Sequence, residues 1–372
     1  MKTSFRAAVI GRTGRGNYGH GLDQVWHDVP GAALVAVADD DKAGLAAAKK
    51  RLAVEHAYSD YRKMLDEVKP DVVSIAPRWL DQHRDIVVAA AERGVHIYLE
   101  KPLCRTLAEA DEMVAACERS HVKLAIAHQT RYSPKLRVVE QLIAAGRVGH
   151  VLEYRGRGKE DQRGGGEDLW VLGTHVFDLI RALGGDPLWC AATVTAGGRP
   201  IQAVDVVDGA EGIGPLAGDA VHAMYGMPGG VTAYFSSRRN MRGRTSRFGL
   251  QIYGSAGVLE ILTGHLPSVK YLDDGGWSPG RSGAEWQDVS SAGIAMPEPL
   301  TDGGLHEGNV LAVKDLLAAI EEDRQPLSNI YEGRGAIEMI VAAFESQRAG
   351  GPVNFPLANR ENPLTMLQGG SR

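Results

Sequence analysis

The sequence predicts two fold classes in succession: an α/β region with a doubly wound parallel sheet, then a larger α+β region built on a large, open, mostly antiparallel sheet. Three observations carry this. From Phe5 to Ala127, short runs of strand-forming residues alternate with stretches of helical period, the pattern of parallel strands joined by crossover helices. The glycine-rich stretch Gly11-Arg12-Thr13-Gly14-Arg15-Gly16 follows the first run directly. From Leu188 to about Val289 short alternating runs succeed one another with turns between them, as in an antiparallel sheet.

Composition bounds the partners. A chain of 372 residues with 44% hydrophobic and 23% charged residues is long enough for two cores. A formal net charge of −5 gives no footprint for nucleic acid or a membrane surface. Three cysteines, Cys104, Cys117 and Cys190, are odd in number and lack metal-ligand spacing, which suits a reducing compartment. Met1-Lys2-Thr3-Ser4-Phe5-Arg6 runs straight into a strand, with no apolar leader and no bilayer-length segment. The expectation is a soluble cytoplasmic protein without a metal.

The elements follow in order. Phe5 to Ile10 reads as a buried strand, and Leu22, Val25, Trp26 and Val29 beyond the glycines fall at helical spacing. Strand, glycine loop and helix form the context of a dinucleotide site, where glycines admit a pyrophosphate and a helix N-terminus favours its charge. Thr13 stands where the fingerprint has its second glycine. The run Ala32–Ala38 ends in Asp39-Asp40-Asp41. An acid there accepts from the adenosine ribose and repels a 2′-phosphate, favouring NAD over NADP. Asp40 or Asp41 is also a cap for the helix Lys42–Leu52, and both readings hold together with Asp39 on the ribose and a later aspartate as cap. Helix from Asp60 to Val68, strand from Asp71 to Ala76, and the loop Pro77-Arg78-Trp79-Leu80 come next. A helix from Asp81 to Arg93 then stops at Gly94.

The strand Val95–Leu99 runs into Glu100-Lys101-Pro102. Proline donates no hydrogen bond and biases the residue before it to extended backbone. Lys101 is therefore expected just past the carboxyl end of a buried strand, where open parallel sheets bind ligands. It is either a solvated loop lysine or a donor to a substrate hydroxyl. Helix Leu107–Arg119 and strand Val122–Ala127 complete the region, with loops 11–16, 39–41, 77–83 and 100–102 along one edge.

In the second region Pro134–Ala145 reads as a helix, Val151–Arg157 as a strand and Gly173–Leu183 as an amphipathic helix. His175 and Asp178 share one face of that helix. A helix histidine is either structural or a proton acceptor with a near-neutral pKa. Arg238-Arg239-Asn240-Met241-Arg242-Gly243-Arg244 is either a solvated loop or a contact for an anionic substrate or a neighbouring subunit. Residues 273–304 form a flap or an irregular edge. Two apolar helix stripes, Val310 to Ile320 and Ala336 to Phe344, are core. The last dozen residues read as a mobile or partner-bound tail.

Taken together, the glycine loop, Asp39, Pro77 to His83, Glu100-Lys101-Pro102, Arg131-Tyr132, Gly173-Thr174-His175-Val176-Phe177-Asp178, Leu250-Gln251-Ile252-Tyr253-Gly254 and Pro352-Val353-Asn354-Phe355-Pro356 resemble the glucose–fructose oxidoreductase / inositol dehydrogenase / rhizopine catabolism (Gfo/Idh/MocA) family over nearly the whole chain. The resemblance implies an NAD(P)-dependent oxidoreductase acting on a sugar, glycoside or polyol, with a Rossmann domain over 1–127, a substrate-binding and oligomerisation domain over 128–358 and a tail over 359–372. It implies Lys101 and His175 as catalytic residues, with Asp178, Arg131, Trp170 and Asp168 on the substrate. Gly11, Thr13, Gly14, Arg15, Gly16, Asp39, Pro77, Arg78, His83, Glu100, Lys101 and Pro102 are implied around NAD. A homodimer or homotetramer is implied as well. The chain departs from the family at Val171, where an aspartate usually stands four residues before the histidine. Glu167 or Asp168 is then expected to take that place, or His175 acts with Lys101 alone. A hydrolase or lyase that oxidises its sugar transiently on retained NAD, and a non-catalytic regulator, are the rival readings.

Overall fold

The structure, a computed structural model, describes residues 4–241 and 247–370. It divides into two compact units. The first comprises Met1–Gln129, Ala210–Gly214 and Leu305–Ile337, and the second Thr130–Gly209, Pro215–Gly304 and Glu338–Arg372. Chain order puts residues 210–214 and 305–337 in the second region, yet they fold with the first. The reason is visible in their polar contacts: Ile126 N donates to Ser328 O at 2.8 Å, Tyr98 Oη donates to Asn309 Oδ1 at 2.7 Å, and Glu211 pairs with Arg78 at 3.6 Å.

The first unit is built on six parallel strands among the described residues: β1 (Phe5–Ile10), β2 (Ala32–Ala38), β3 (His56–Tyr58), β4 (Val72–Ile75), β5 (His96–Leu99) and β6 (Leu124–Ile126). They lie in the order β3-β2-β1-β4-β5-β6. Helices α1 (Lys42–Leu52), α2 (Tyr61–Val68), α3 (His83–Ala91) and α4 (Leu107–Arg119) connect them. Ala7, Val9, Val72, Val73, Ile97 and Leu99 are fully buried, as strands covered on both faces require. Each large apolar side chain among them contributes about 1.5–3 kcal/mol relative to exposure. Polar residues set the helix starts: Asp41 accepts from Gly44 N at 2.6 Å, Asp60 from Arg62 N at 2.8 Å, and Thr106 from Glu109 N at 3.1 Å. The order of strands reverses between β1 and β4, so the crevice of this sheet opens at their carboxyl ends.

One expected element does not form. The helix after the glycine loop is replaced by turns and a single 3-10 turn, Val25–His27. Leu22, Val25, Trp26 and Val29 are buried as their spacing predicts. Gly16, Gly19 and Gly21, however, hold φ of 86°, 62° and 86°, and left-handed residues do not propagate a right-handed helix. The loop consequently presents backbone amides without a helix dipole behind them.

In the second unit, α5 (Pro134–Ala144) leads to strand β7 (Val151–Arg157), followed by α6 (Gly166–Val171) and α7 (Gly173–Gly184). Eleven strands among the described residues form one sheet, with β7 near its middle. β7 pairs parallel with Thr232–Arg238 and antiparallel with Gly249–Gly254. α7 packs on the buried face, where the Phe177 ring lies 5.1 Å from Phe235 and 5.5 Å from Tyr225. Of the two alternatives for residues 273–304, the irregular edge is observed: Trp286–Ser290 and Gly293–Ile294 close one side of the sheet. Arg242, Gly243 and Arg244 of the arginine run lie outside the described residues. The expected tail instead includes the helix Pro363–Gln368, capped by Asn362. Burial of Leu357 and Leu364 and the Arg360–Glu338 pair at 3.3 Å pin it to this unit. Among the described residues no helix is long and apolar enough to cross a membrane.

Candidate functional site

In the first unit, the loops after β1, β2, β4 and β5 meet at the carboxyl edge of the sheet. Asp39 gathers the glycine loop. It accepts from Thr13 Oγ1 at 2.7 Å, Tyr18 Oη at 2.8 Å, Thr13 N at 3.1 Å and Asp41 N at 3.0 Å, and the residue is only 2% exposed. Burial, and then the hydrogen bond to Asp39, push the Tyr18 phenol well above its ordinary value, so Tyr18 is a neutral donor. Asp40 beside it has a side chain 59% exposed, with Arg12 Nε 3.4 Å away. Arg12 also reaches Asp81 at 2.8 Å.

Gly16 shows why a side chain is excluded from this loop. A Cβ there would lie 2.3 Å from Arg78 N and 2.8 Å from Trp79 N. Backbone therefore meets backbone between the first and fourth strand ends, while a Cβ on Gly14 would have no neighbour within 4 Å. Arg15 stacks on the Trp79 ring at 4.9 Å, and Arg78 lies 3.6 Å from Glu211. His83 is fully buried. Its Nε2 is 2.7 Å from Pro77 O and its Nδ1 3.1 Å from both Pro102 O and Leu103 O, so it ties the loop after β4 to the loop after β5.

Glu100 is fully buried at the end of β5. Its Oε1 accepts from Lys101 N at 3.1 Å, and its Oε2 faces His20 N at 2.9 Å and His20 Nδ1 at 3.0 Å. Burial raises its pKa, but the His20 hydrogen bond and the charges of His20 and Lys101 outweigh that and hold the carboxyl below the ordinary value. Lys101 itself is half-buried.

A cavity of about 150 Å³ at this edge is lined by Gly11, Arg12, Asp39, Asp40, Tyr61 and Pro77, among others. Its place at the strand-order switch, the unobstructed Gly14 and the exposed Asp40 carboxylate fit an adenosine end followed by a pyrophosphate. A larger cavity of about 720 Å³ lies at the opposite, amino edge of the same sheet, lined by Phe5, Lys69, Asp71 and His96. That edge is remote from the ligand-binding end of such sheets.

In the second unit, α7 presents His175, half-buried with its ring edge-on to Phe248 at 6.3 Å. One turn on, Asp178 accepts from Arg131 Nη1 at 3.2 Å. Asp168 is fully buried, its Oδ2 accepting from Ser237 Oγ at 2.5 Å and Glu160 N at 3.0 Å. Burial raises its pKa. Asp168 Oδ1 and Trp170 Nε1 are buried without a partner among the described residues, and Val171 is buried too. Gly164, Gly165 and Gly166 each lie against backbone of residues 217–219 or 238–239, so the triple glycine serves close packing of α6 on the sheet.

The geometry thus joins Thr13 with Asp39, Glu100 with the Lys101 amide, His83 with Pro77 and Pro102, and Arg131 with Asp178. No local sequence pattern marks Tyr18, Asn309 or Ser237 as a partner in these contacts. His20 alone carried a visible signal, as a histidine within a glycine loop.

Comparison with known proteins agrees with this layout. The family described as "Oxidoreductase family, NAD-binding Rossmann fold" matches residues 5–128, and "GFO/IDH/MocA C-terminal domain" matches residues 136–260. D-apiose dehydrogenase of Paraburkholderia graminis is 32% identical over 215 residues, covering 54% of this chain and 56% of that protein. Levoglucosan dehydrogenase of Pseudarthrobacter phenanthrenivorans is 30% identical over 256 residues, covering 62% of this chain and 65% of that protein. The chain thus spans between 56% and 65% of the length of these two relatives. A solved structure of levoglucosan dehydrogenase in complex with NADH has the same fold, with a TM-score of 0.77 at 22% identity, covering 95% of this chain and 100% of that one.

Proposed function

The chain belongs to the Gfo/Idh/MocA family of oxidoreductases, and from that premise we propose that it is an NAD-dependent dehydrogenase acting on a hydroxyl carbon of a sugar, glycoside or polyol. The observation that carries this reading is the shared carboxyl edge of the parallel sheet, which holds the glycine loop, the Asp39-Asp40 acids and Glu100-Lys101-Pro102 together. Gly11, Thr13, Gly14, Arg15 and Gly16 would hold the pyrophosphate. Asp40 would take the ribose, with Asp39 shaping the loop beneath it. Pro77, Arg78 and Pro102 would border the nicotinamide, while His83 and Glu100, expected there too, are fully buried and would support those loops from behind. NAD, when bound, supplies a hydride acceptor.

The chain's own residues do the rest. Lys101 donates a hydrogen bond to the reacting oxygen and offsets the negative charge that grows on it. His175 takes the hydroxyl proton, an imidazole ring nitrogen being able to accept it as the hydride leaves. The Arg131–Asp178 pair fixes the polar wall beside His175. Asp168 and Trp170 set the shape of the substrate side through α6. A cytoplasmic homodimer or homotetramer is the assembly that accompanies this reading, measurable by light scattering.

The test is NADH formation, followed by absorbance, from NAD and a panel of sugars, glycosides and inositols. Saturable NADH formation with at least one of them is expected. A protein that binds NADH yet forms none with any member refutes the reading. The buried Val171 in the aspartate position favours one second reading: transient oxidation on retained NAD, ending in hydrolysis or elimination. Product formation without net NADH identifies it.

A further inference from the structure

We propose that His20 is a positioning residue for Lys101, acting through Glu100. This rests on the reading that Lys101 meets the reacting oxygen. The glycine loop reaches the end of β5 at one point. A Cβ on Gly19, at φ 62°, would lie 2.4 Å from Glu100 Oε2, so only glycine lets the chain pass that close to the carboxylate. His20 N and Nδ1 then close on Oε2 at 2.9 and 3.0 Å. Glu100, held ionised, accepts only, so the shared proton sits on Nδ1. Its other oxygen, at 3.1 Å, holds the Lys101 amide. One buried carboxylate thereby ties a loop residue to the lysine backbone.

The clamp is supported from its far side. Asn309 Nδ2 donates to His20 O at 3.0 Å, while Asn309 Oδ1 accepts from Tyr98 Oη at 2.7 Å. Tyr98 lies within β5 itself, two residues before Glu100. The path of the loop at His20 is thus fixed by backbone bonds at both N and O. The imidazole adds something different: a second donor to a carboxylate that has no access to water. Without it, Oε2 loses one of its two donors in a dry site, where a buried charge left short of partners is costly. Glu100 then shifts or takes up a proton, and the Lys101 amide shifts with it. A lysine misplaced by about 1 Å costs turnover by up to about 10²-fold.

His20→Ala and His20→Asn separate this role from simple structural support, because asparagine Nδ2 stands where histidine Nδ1 stands. For His20→Ala, kcat should fall about 10- to 100-fold while KM for NAD stays within about threefold, since the loop backbone bonds remain. His20→Asn should recover kcat to within about threefold of the parent. A readout independent of turnover accompanies these: the ¹³C-dimethyl signal of Lys101 after reductive methylation, assigned by its loss in Lys101→Arg. It should move in His20→Ala and return in His20→Asn. Equal kcat losses in both variants, a loss carried by KM alone, or an unmoved lysine signal overturns the proposal. If the parent forms no NADH with any substrate, the functional reading fails, and the lysine signal alone decides the role of His20.

Discussion

Two adjacent aspartates at the end of β2 make different predictions when each is removed. Asp40 is the exposed acid, lining the cavity proposed for adenosine, with Arg12 Nε 3.4 Å from its carboxylate. A 2′-phosphate carrying two charges at about 5 Å from it meets a repulsion of about 1.5–2 kcal/mol in water, roughly halved at physiological salt. Asp40→Ser removes that repulsion and releases Arg12 Nε as a phosphate donor, which adds about 1 kcal/mol. The ratio of NADPH to NADH dissociation constants should therefore shift toward NADPH by roughly 10- to 30-fold, and the shift should shrink as salt rises. Asp39→Ala acts otherwise. It strips the acceptor from Thr13 N, Thr13 Oγ1, Tyr18 Oη and Asp41 N, each bond worth about 1 kcal/mol net. With the loop unmoored, both cofactors should weaken by about tenfold or more at an unchanged ratio. Fluorescence titration with NADH and NADPH at low and high salt reads both effects. If Asp39→Ala moves the ratio and Asp40→Ser leaves it alone, the division of labour drawn from the geometry is refuted.

Lys101→Met should lower kcat by about 10²-fold or more while the NADH dissociation constant changes little; full turnover in that variant removes Lys101 from the chemistry. Asp168→Ala leaves Ser237 Oγ and Glu160 N without their buried acceptor, a loss of about 2–5 kcal/mol, which calorimetry should register as a fall of about 5–15 °C in the transition of the second unit. Asp168→Asn keeps one acceptor oxygen and should cost far less. It also carries a pH signature: because burial raises the folded-state pKa of Asp168 above the ordinary 3.8, the folded protein holds that proton where the unfolded chain has released it, and parental stability falls as pH rises through that interval. The Asn variant lacks this loss, so its melting temperature should gain on the parent as pH rises from the ordinary value and level off above the folded pKa. Gly16→Ala places a Cβ 2.3 Å from Arg78 N at φ 86°, so it should weaken NADH binding by at least about tenfold without unfolding the second unit.

The succession of parallel and antiparallel strands was legible because strands buried on both faces are written as unbroken apolar runs, and because helix starts are written as caps. Asp41, Asp60, Thr106 and Ser133 each stand immediately before an observed helix. The helix that the spacing predicts after the glycine loop does not form for a definite reason: the spacing of Leu22, Val25, Trp26 and Val29 reports which residues are buried, and turns of left-handed glycines bury the same set. The site was legible as positions at strand ends and illegible as partnerships. Asn309 reaches His20 across 289 residues, and no local pattern marks such a contact. The three aspartates after β2 make the point most sharply. Sequence logic gives the ribose to the first and the helix cap to one of the other two. In the folded chain Asp41 is the cap, while Thr13 and Tyr18 close over Asp39 and leave Asp40 as the carboxylate facing outward. A motif names the atoms delivered to a strand end; which of them is still open to a ligand is decided by side chains that close over it, and the Tyr18 hydroxyl, seven residues past the first glycine of the loop, is one that no fingerprint includes.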